Sequence, residues 1–187
     1  MTKWIVAVVL SVGAVSCHGA GETLSYESMV RGQREMTVSL GYGENHRIPA
    51  SMKNRFGFDT LTFRYAWFTS PRTQGALEFS AGRHVKGQEN FSVSSTLGYR
   101  RYFMVKGSTA LAYDLGVGLI RMKDEIDGMG TKINFTEQVG LTWQVATGTS
   151  SAFTLEYRFC HISNAELKMP NVGMNVSALS LGYSWYR

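Results

Sequence analysis

Beyond about residue 20 the sequence alternates between apolar and polar positions, and a period of two is its dominant pattern. Within residues 59–68 the odd positions from Leu61 to Trp67 are apolar, while the residues between them are polar or small. Alternation over ten or so residues is typical of a tilted strand that crosses a membrane, and a sustained helical period of 3.6 does not occur. The pattern therefore predicts an all-β protein with about eight strands, centred on 36–42, 59–68, 77–82, 91–99, 110–119, 133–145, 153–160 and 179–185.

The second face of these strands decides between a soluble barrel and a membrane barrel. A soluble barrel, such as a lipocalin, has an apolar interior. Here the face opposite the apolar one carries charged residues that a polar lumen can pair with one another, namely Arg64, Glu78, Arg100, Asp114, Glu156 and Arg158. Aromatic residues recur near the segment ends, as interfacial girdles require. We therefore predict an eight-stranded antiparallel outer-membrane β-barrel.

The first 20 residues are typical of a secretory signal peptide. Lys3 precedes an apolar run from Trp4 to Val15, which is too short to span a membrane, and small residues follow up to Ala20. We expect a signal peptide over 1–20 and a single barrel domain over 21–187. A lipoprotein signal with Cys17 as acceptor is the alternative, although the leucine usual at the start of such a motif is missing.

The charge of the chain adds little to this picture. It has 19 Lys and Arg against 14 Asp and Glu, a formal net charge of +5. The basic residues are scattered along the chain, whereas nucleic acid recognition usually needs them clustered on one face. We expect no nucleic acid partner, and mild basicity suits a surface of phosphorylated glycolipid.

Candidate chemistry lies at the end of the seventh predicted strand. Extending the alternation of residues 153–160 places His161 and Ser163 on the lipid-facing side. A neutral imidazole close to a hydroxyl can act as its general base. With both termini in the periplasm the seventh strand ends at the cell surface. The pair therefore suits a lipid substrate in the outer leaflet.

The same region resembles a known family. Residues 159–165 (FCHISNA), 171–173 (NVG) and 179–185 (LSLGYSW) are similar to the signature of the PagL family of lipid A deacylases. The resemblance implies hydrolysis of the ester-linked acyl chain at the 3-position of lipid A, with lipopolysaccharide as substrate and no cofactor or metal. It further implies that Ser163 is the nucleophile, His161 the general base and Asn164 a contributor to the oxyanion hole. The sequence leaves open whether two copies form a homodimer.

One position departs from the family pattern. Asn175 stands where the best-known members carry the glutamate of the catalytic triad. An asparagine can still accept a hydrogen bond from histidine, but it brings no negative charge. Glu137 interrupts the apolar face of the sixth strand, and face matching sets it opposite Phe159 or His161. Glu137 is therefore an alternative acid, or else an interfacial carboxylate without a catalytic role.

Two functions from different classes follow from these observations. The first is a lipid A deacylase. The second is a catalytically silent small barrel with a role in adhesion or envelope structure. The pair His161 and Ser163 distinguishes them, because a structural barrel has no reason to expose both side chains to lipid.

Overall fold

The computed structural model describes residues 23–46 and 55–187 and shows a closed antiparallel barrel. Each strand pairs with the next along the chain, and β1 pairs with β8. This confirms the predicted fold. The strands are β1 (Arg34–His46), β2 (Gly57–Ser70), β3 (Thr73–Lys86), β4 (Phe91–Lys106), β5 (Thr109–Met122), β6 (Ile133–Ala146), β7 (Ser151–Ser163) and β8 (Met174–Tyr186).

The segment before β1 contains no strand in its described part. The predicted signal peptide, 1–20, lies outside the described residues. Within the described part a 3-10 turn, Tyr26–Ser28, precedes β1, and no helix there is long and apolar enough to cross a membrane.

Strand alternation separates an apolar outer surface from a polar lumen. On β5 the outward side chains Leu115, Val117 and Leu119 are 47–59% exposed. Asp114 on the same strand faces the lumen and is only 6% exposed. An apolar belt this extensive is unfavourable in water but suits contact with lipid. The period of two in the sequence thus sets which side chains meet the membrane.

Charged side chains fill the lumen as one connected network of ion pairs. Arg64 contacts Glu35 at 3.7 Å and Glu78 at 3.1 Å, while Arg100 contacts Asp114 at 2.6 Å. The remaining links are Arg100 with Glu35 and Glu156, and Arg158 with Glu78 and Glu156. Buried charges are tolerated when they are paired and hydrogen-bonded, which is the arrangement here.

An apolar cluster lies at each end of the lumen. At the end that holds Leu24 and Tyr186, Tyr26 packs among strand-end residues, and its hydroxyl lies 3.2 Å from that of Tyr186. Burial raises the pKa of Tyr26 well above its ordinary value, so the phenol stays neutral. At the other end Ile126 and Met129, from the β5–β6 connection, are fully buried among strand-end residues. A cavity of about 120 Å³ lies in the lumen.

The lengths of the connections orient the barrel. At the end that holds Tyr186 the strands are joined by short turns over 71–72, 107–108 and 147–150, while longer connections such as 123–132 and 164–173 lie at the opposite end. Small outer-membrane barrels have short periplasmic turns and longer extracellular loops. Strand β7 therefore runs outward, and Ser163 at its end lies near the outer face of the membrane.

Candidate active site

His161 and Ser163 lie on the outer face of the barrel, at the last two outward positions of β7. The residues that alternate with them, Cys160 and Ile162, line the lumen cavity. His161 and Ser163 are both half-buried, whereas Tyr157 lower on the same face is 48% exposed. The side predicted for this pair is thus the side on which the structure places it.

A hydrogen bond fixes the orientation of the imidazole. His161 and Asn175 are directly opposite each other in the β7–β8 pair, and Nδ1 of His161 lies 2.7 Å from Oδ1 of Asn175. An amide oxygen only accepts hydrogen bonds, so Nδ1 must carry the proton. The lone pair is then on Nε2, where a general base needs it.

Gly173 confines the same ring from the loop side. A Cβ atom on Gly173 would lie 3.1 Å from Cε1 and 3.6 Å from Nε2 of His161. Its φ of +69° is also a conformation that favours glycine. In the sequence, only its place in the NVG run marks Gly173, and nothing there indicates a contact with the imidazole.

Ser163 is followed at once by a tight turn. Ala165 and Glu166 have φ values of +53° and +62°, and the backbone N–H of Leu167 donates to the carbonyl of Asn164 at 3.2 Å. Two successive left-handed residues without glycine are strained, and such strain is common at functional sites. No hydrogen bond joins Ser163 to His161 among the described residues, as is frequent for catalytic pairs without bound substrate.

Asn164 connects this turn to the rest of the outer surface. Its Nδ2 donates to the carbonyl of Met129 at 2.7 Å and to that of Lys168 at 2.6 Å. Its backbone N–H donates to Oδ1 of Asn171 at 3.0 Å, and the residue is 1% exposed. In this conformation its donors are occupied within the protein. The oxyanion role of Asn164 therefore stays a prediction.

The β5–β6 connection supports the site in a way that sequence analysis missed. The N–H of Val172 donates to the carbonyl of Gly128 at 2.9 Å. Gly130 has a φ of +68°, and a Cβ there would lie 2.5 Å from the carbonyl oxygen of Pro170. The loop that follows the candidate nucleophile thus packs directly on a segment whose Met129 is anchored in the outer apolar cluster.

Glu137 lies opposite His161 in the β6–β7 pair, one of the two positions that face matching allowed. It is exposed. The structure nevertheless gives the imidazole hydrogen bond to Asn175, and no ion pair links Glu137 to His161 within residues 23–46 and 55–187.

Comparison with known proteins decides the family. Residues 52–184 match the family described as lipid A 3-O-deacylase (PagL), and the match includes the whole segment from His161 to Asn175. The chain belongs to the PagL family. None of the curated protein sequences matches it significantly.

Solved structures show the same fold. The outer membrane enzyme PagL superposes with a TM-score of 0.61 at 21% identity, covering 80% of this chain and 98% of that one. Neisserial surface protein A has a TM-score of 0.65 at 10% identity, covering 82% and 98%. The outer membrane protein OprG from Pseudomonas aeruginosa has a TM-score of 0.55 at 10% identity, covering 84% and 97%.

The barrel itself does not select an activity. Differently named proteins share this architecture at low identity, so a functional conclusion must come from the site and from the family match. Membership of the lipid A deacylase family, together with the barrel fold, places the protein in the outer membrane.

Proposed function

We propose that this PagL-family protein removes the 3-O-linked acyl chain of lipid A by serine-esterase chemistry at Ser163. The observation that carries the proposal is the oriented imidazole: His161 is held through Nδ1 by Asn175 on the outer face, two residues from Ser163. Lipid A presents its acyl esters near this level of the outer leaflet. The lipopolysaccharide substrate would thus reach the site from the membrane.

The chemistry follows from the tautomer. Nε2 of His161 accepts the hydroxyl proton as Oγ of Ser163 attacks the ester carbonyl, which gives a tetrahedral oxyanion. The imidazolium then returns the proton to the departing sugar oxygen, leaving an acyl group on Ser163. Water, deprotonated by the same imidazole, releases the fatty acid and restores the serine.

Asn175 and Asn164 have supporting roles in this proposal. Asn175 holds the imidazole and its tautomer, although it lacks the charge with which a carboxylate stabilises imidazolium. Asn164 positions the Ser163 turn through the carbonyls of Met129 and Lys168. His161, Ser163 and Asn175 all belong to one chain, so the proposal does not require a homodimer.

Mass spectrometry of lipid A tests the activity. Lipid A from cells that express the protein should lose the mass of one 3-O-linked acyl chain, and Ser163→Ala should abolish this loss while the barrel still folds. Ser95→Ala is a matched control, because Ser95 is an outward serine three strands away in the same pairing row, with Leu119 and Phe135 between. It should leave deacylation unchanged.

Two results would contradict the proposal. Deacylation that persists with Ser163→Ala would exclude Ser163 as the nucleophile. Lipid A that stays intact with the folded wild-type protein would favour the silent structural barrel instead.

A further inference from the structure

Arg121 is an outward-facing cation with apolar neighbours on both sides. It is the penultimate residue of β5, at the outer end of the strand, and it is exposed. Its cross-strand partners are Val93 on β4 and Ile133 on β6, which are 48% and 54% exposed. The guanidinium thus projects from an apolar part of the membrane-facing wall.

Several other cations at this end of the barrel have a carboxylate within ion-pair distance or directly opposite in the strand register. Lys86 contacts Glu44 at 3.0 Å, and Arg83 is directly opposite Asp59 on the same face. Lys132 and Lys168 each lie 3.7 Å from an acidic residue, Asp124 and Glu125 respectively. No ion pair involves Arg121 among the described residues.

An uncompensated arginine on a lipid-facing surface is unfavourable, less so near the interface than at the midplane. An anionic group in the adjacent lipid would remove the remaining cost. A phosphate is the anion that a guanidinium binds best, because it can accept two parallel hydrogen bonds from the planar fork. The chemistry of this position therefore points to a phosphorylated lipid.

The register places Arg121 on the same wall as the candidate nucleophile. Ser163 is opposite Phe135, which is opposite Leu119, and Arg121 follows two residues along β5. Two strand spacings and two residue rises correspond to about 12 Å between the Cα positions of Arg121 and Ser163. A sugar-phosphate headgroup can span this distance once the arginine side chain is extended.

We propose that Arg121 binds a phosphate of the glycolipid headgroup and so sets which ester reaches Ser163. This inference rests on the proposed function for its substrate. It adds a binding residue, outside the catalytic group, that selects phosphorylated over dephosphorylated glycolipid. The apolar side chains of Ile133 and Phe135, which lie between the two residues in the register, would contact the lipid portion.

A binding experiment in the Ser163→Ala background tests this without turnover. The probes are purified lipid A with its phosphates, the same lipid A after enzymatic dephosphorylation, and phosphatidylglycerol, each in neutral detergent micelles. Arg121→Gln should weaken binding of phosphorylated lipid A about tenfold, the scale of one charge-assisted contact, and leave the dephosphorylated form unchanged. Arg83→Gln is the matched control on the opposite side of the barrel and should change neither.

Steady-state kinetics of the protein that retains Ser163 give a second readout. Arg121→Gln should raise KM for phosphorylated lipid A with little change in kcat, and Arg121→Lys should restore part of the difference because it keeps the charge. A merely structural role of Arg121 would lower kcat and affect both lipids equally.

Several outcomes would overturn the inference: equal weakening for both forms of lipid A, equal weakening for phosphatidylglycerol, or the same effect from Arg83→Gln. If wild-type protein binds phosphorylated lipid A through Arg121 yet hydrolyses none, the deacylase proposal fails and the phosphate site stands. If the protein hydrolyses lipid A and Arg121→Gln does not distinguish the phosphorylated from the dephosphorylated form, only the proposed phosphate site fails.

Discussion

At the scale of single residues, the partner of the imidazole is the unusual feature of this protein. Asn175 and Glu137 both lie opposite His161, on β8 and β6 respectively, so the histidine has a strand neighbour on each side that could orient it. The hydrogen bond goes to Asn175. An amide supplies orientation without charge, which separates two contributions that a carboxylate combines.

Substitutions at these two positions distinguish the contributions. Asn175→Leu should lower kcat on the order of a hundredfold or more, because the imidazole loses its acceptor, while Asn175→Glu should preserve or raise kcat by adding a charge beside the imidazolium. Glu137→Gln should change little. The measurement is lipid A deacylation in micelles, with heat-modifiable electrophoretic mobility to confirm folded barrels. A large loss with Glu137→Gln and none with Asn175→Leu would instead make Glu137 the orienting acid.

At the scale of elements, two outer connections form one unit around the site. The β7–β8 connection carries the strained turn after Ser163, and the β5–β6 connection supports it through hydrogen bonds to Asn164 and Val172. The latter connection is itself held by Ile126 and Met129 in the outer apolar cluster. The position of the proposed nucleophile thus depends on the apolar cluster at the outer end of the lumen.

Gly130→Ala tests this support. Its Cβ would lie 2.5 Å from the carbonyl of Pro170 and 2.8 Å from that of Lys168, so the β7–β8 connection must move, and kcat/KM should fall about tenfold or more. Gly107→Ala is the matched control, because Gly107 also has a positive φ, +51°, but nothing lies within 4 Å of a Cβ there. Hydrogen exchange over residues 164–173 should increase only in the Gly130 variant. Equal kinetics for the two variants would show that the β5–β6 connection does not position the site.

At the scale of the whole molecule, the charged network fills the lumen, whereas the proposed active site lies on the outer face of the barrel. Glu35 is fully buried and receives hydrogen bonds from Gln74 at 2.6 Å and Gln144 at 2.8 Å, besides its contacts with Arg64 and Arg100. Stability and activity should therefore respond to different substitutions.

Glu35→Ala leaves two buried arginines short of one carboxylate and should lower the free energy of unfolding by roughly 3–5 kcal/mol. Deacylation by the folded variant should stay near the wild-type rate, because Glu35 faces the lumen. Glu44→Ala removes the carboxylate of an exposed pair and should barely change stability. Urea unfolding in detergent measures both variants. Similar midpoints for the two would mean that the network contributes little to stability.

The sequence alone determined the fold class and the face of each strand, since a period of two is a local property that every strand displays by itself. From it followed the polar lumen and the outward position of His161 and Ser163. Local pattern could not decide between Asn175 and Glu137, because both fit the face rule and the choice depends on side-chain geometry across two strand pairs. Tertiary structure alone placed Gly173 against the imidazole, occupied the donors of Asn164 and brought residues 128–130 under the β7–β8 connection. These contacts join segments that are distant along the chain, and no periodicity in either segment encodes the other.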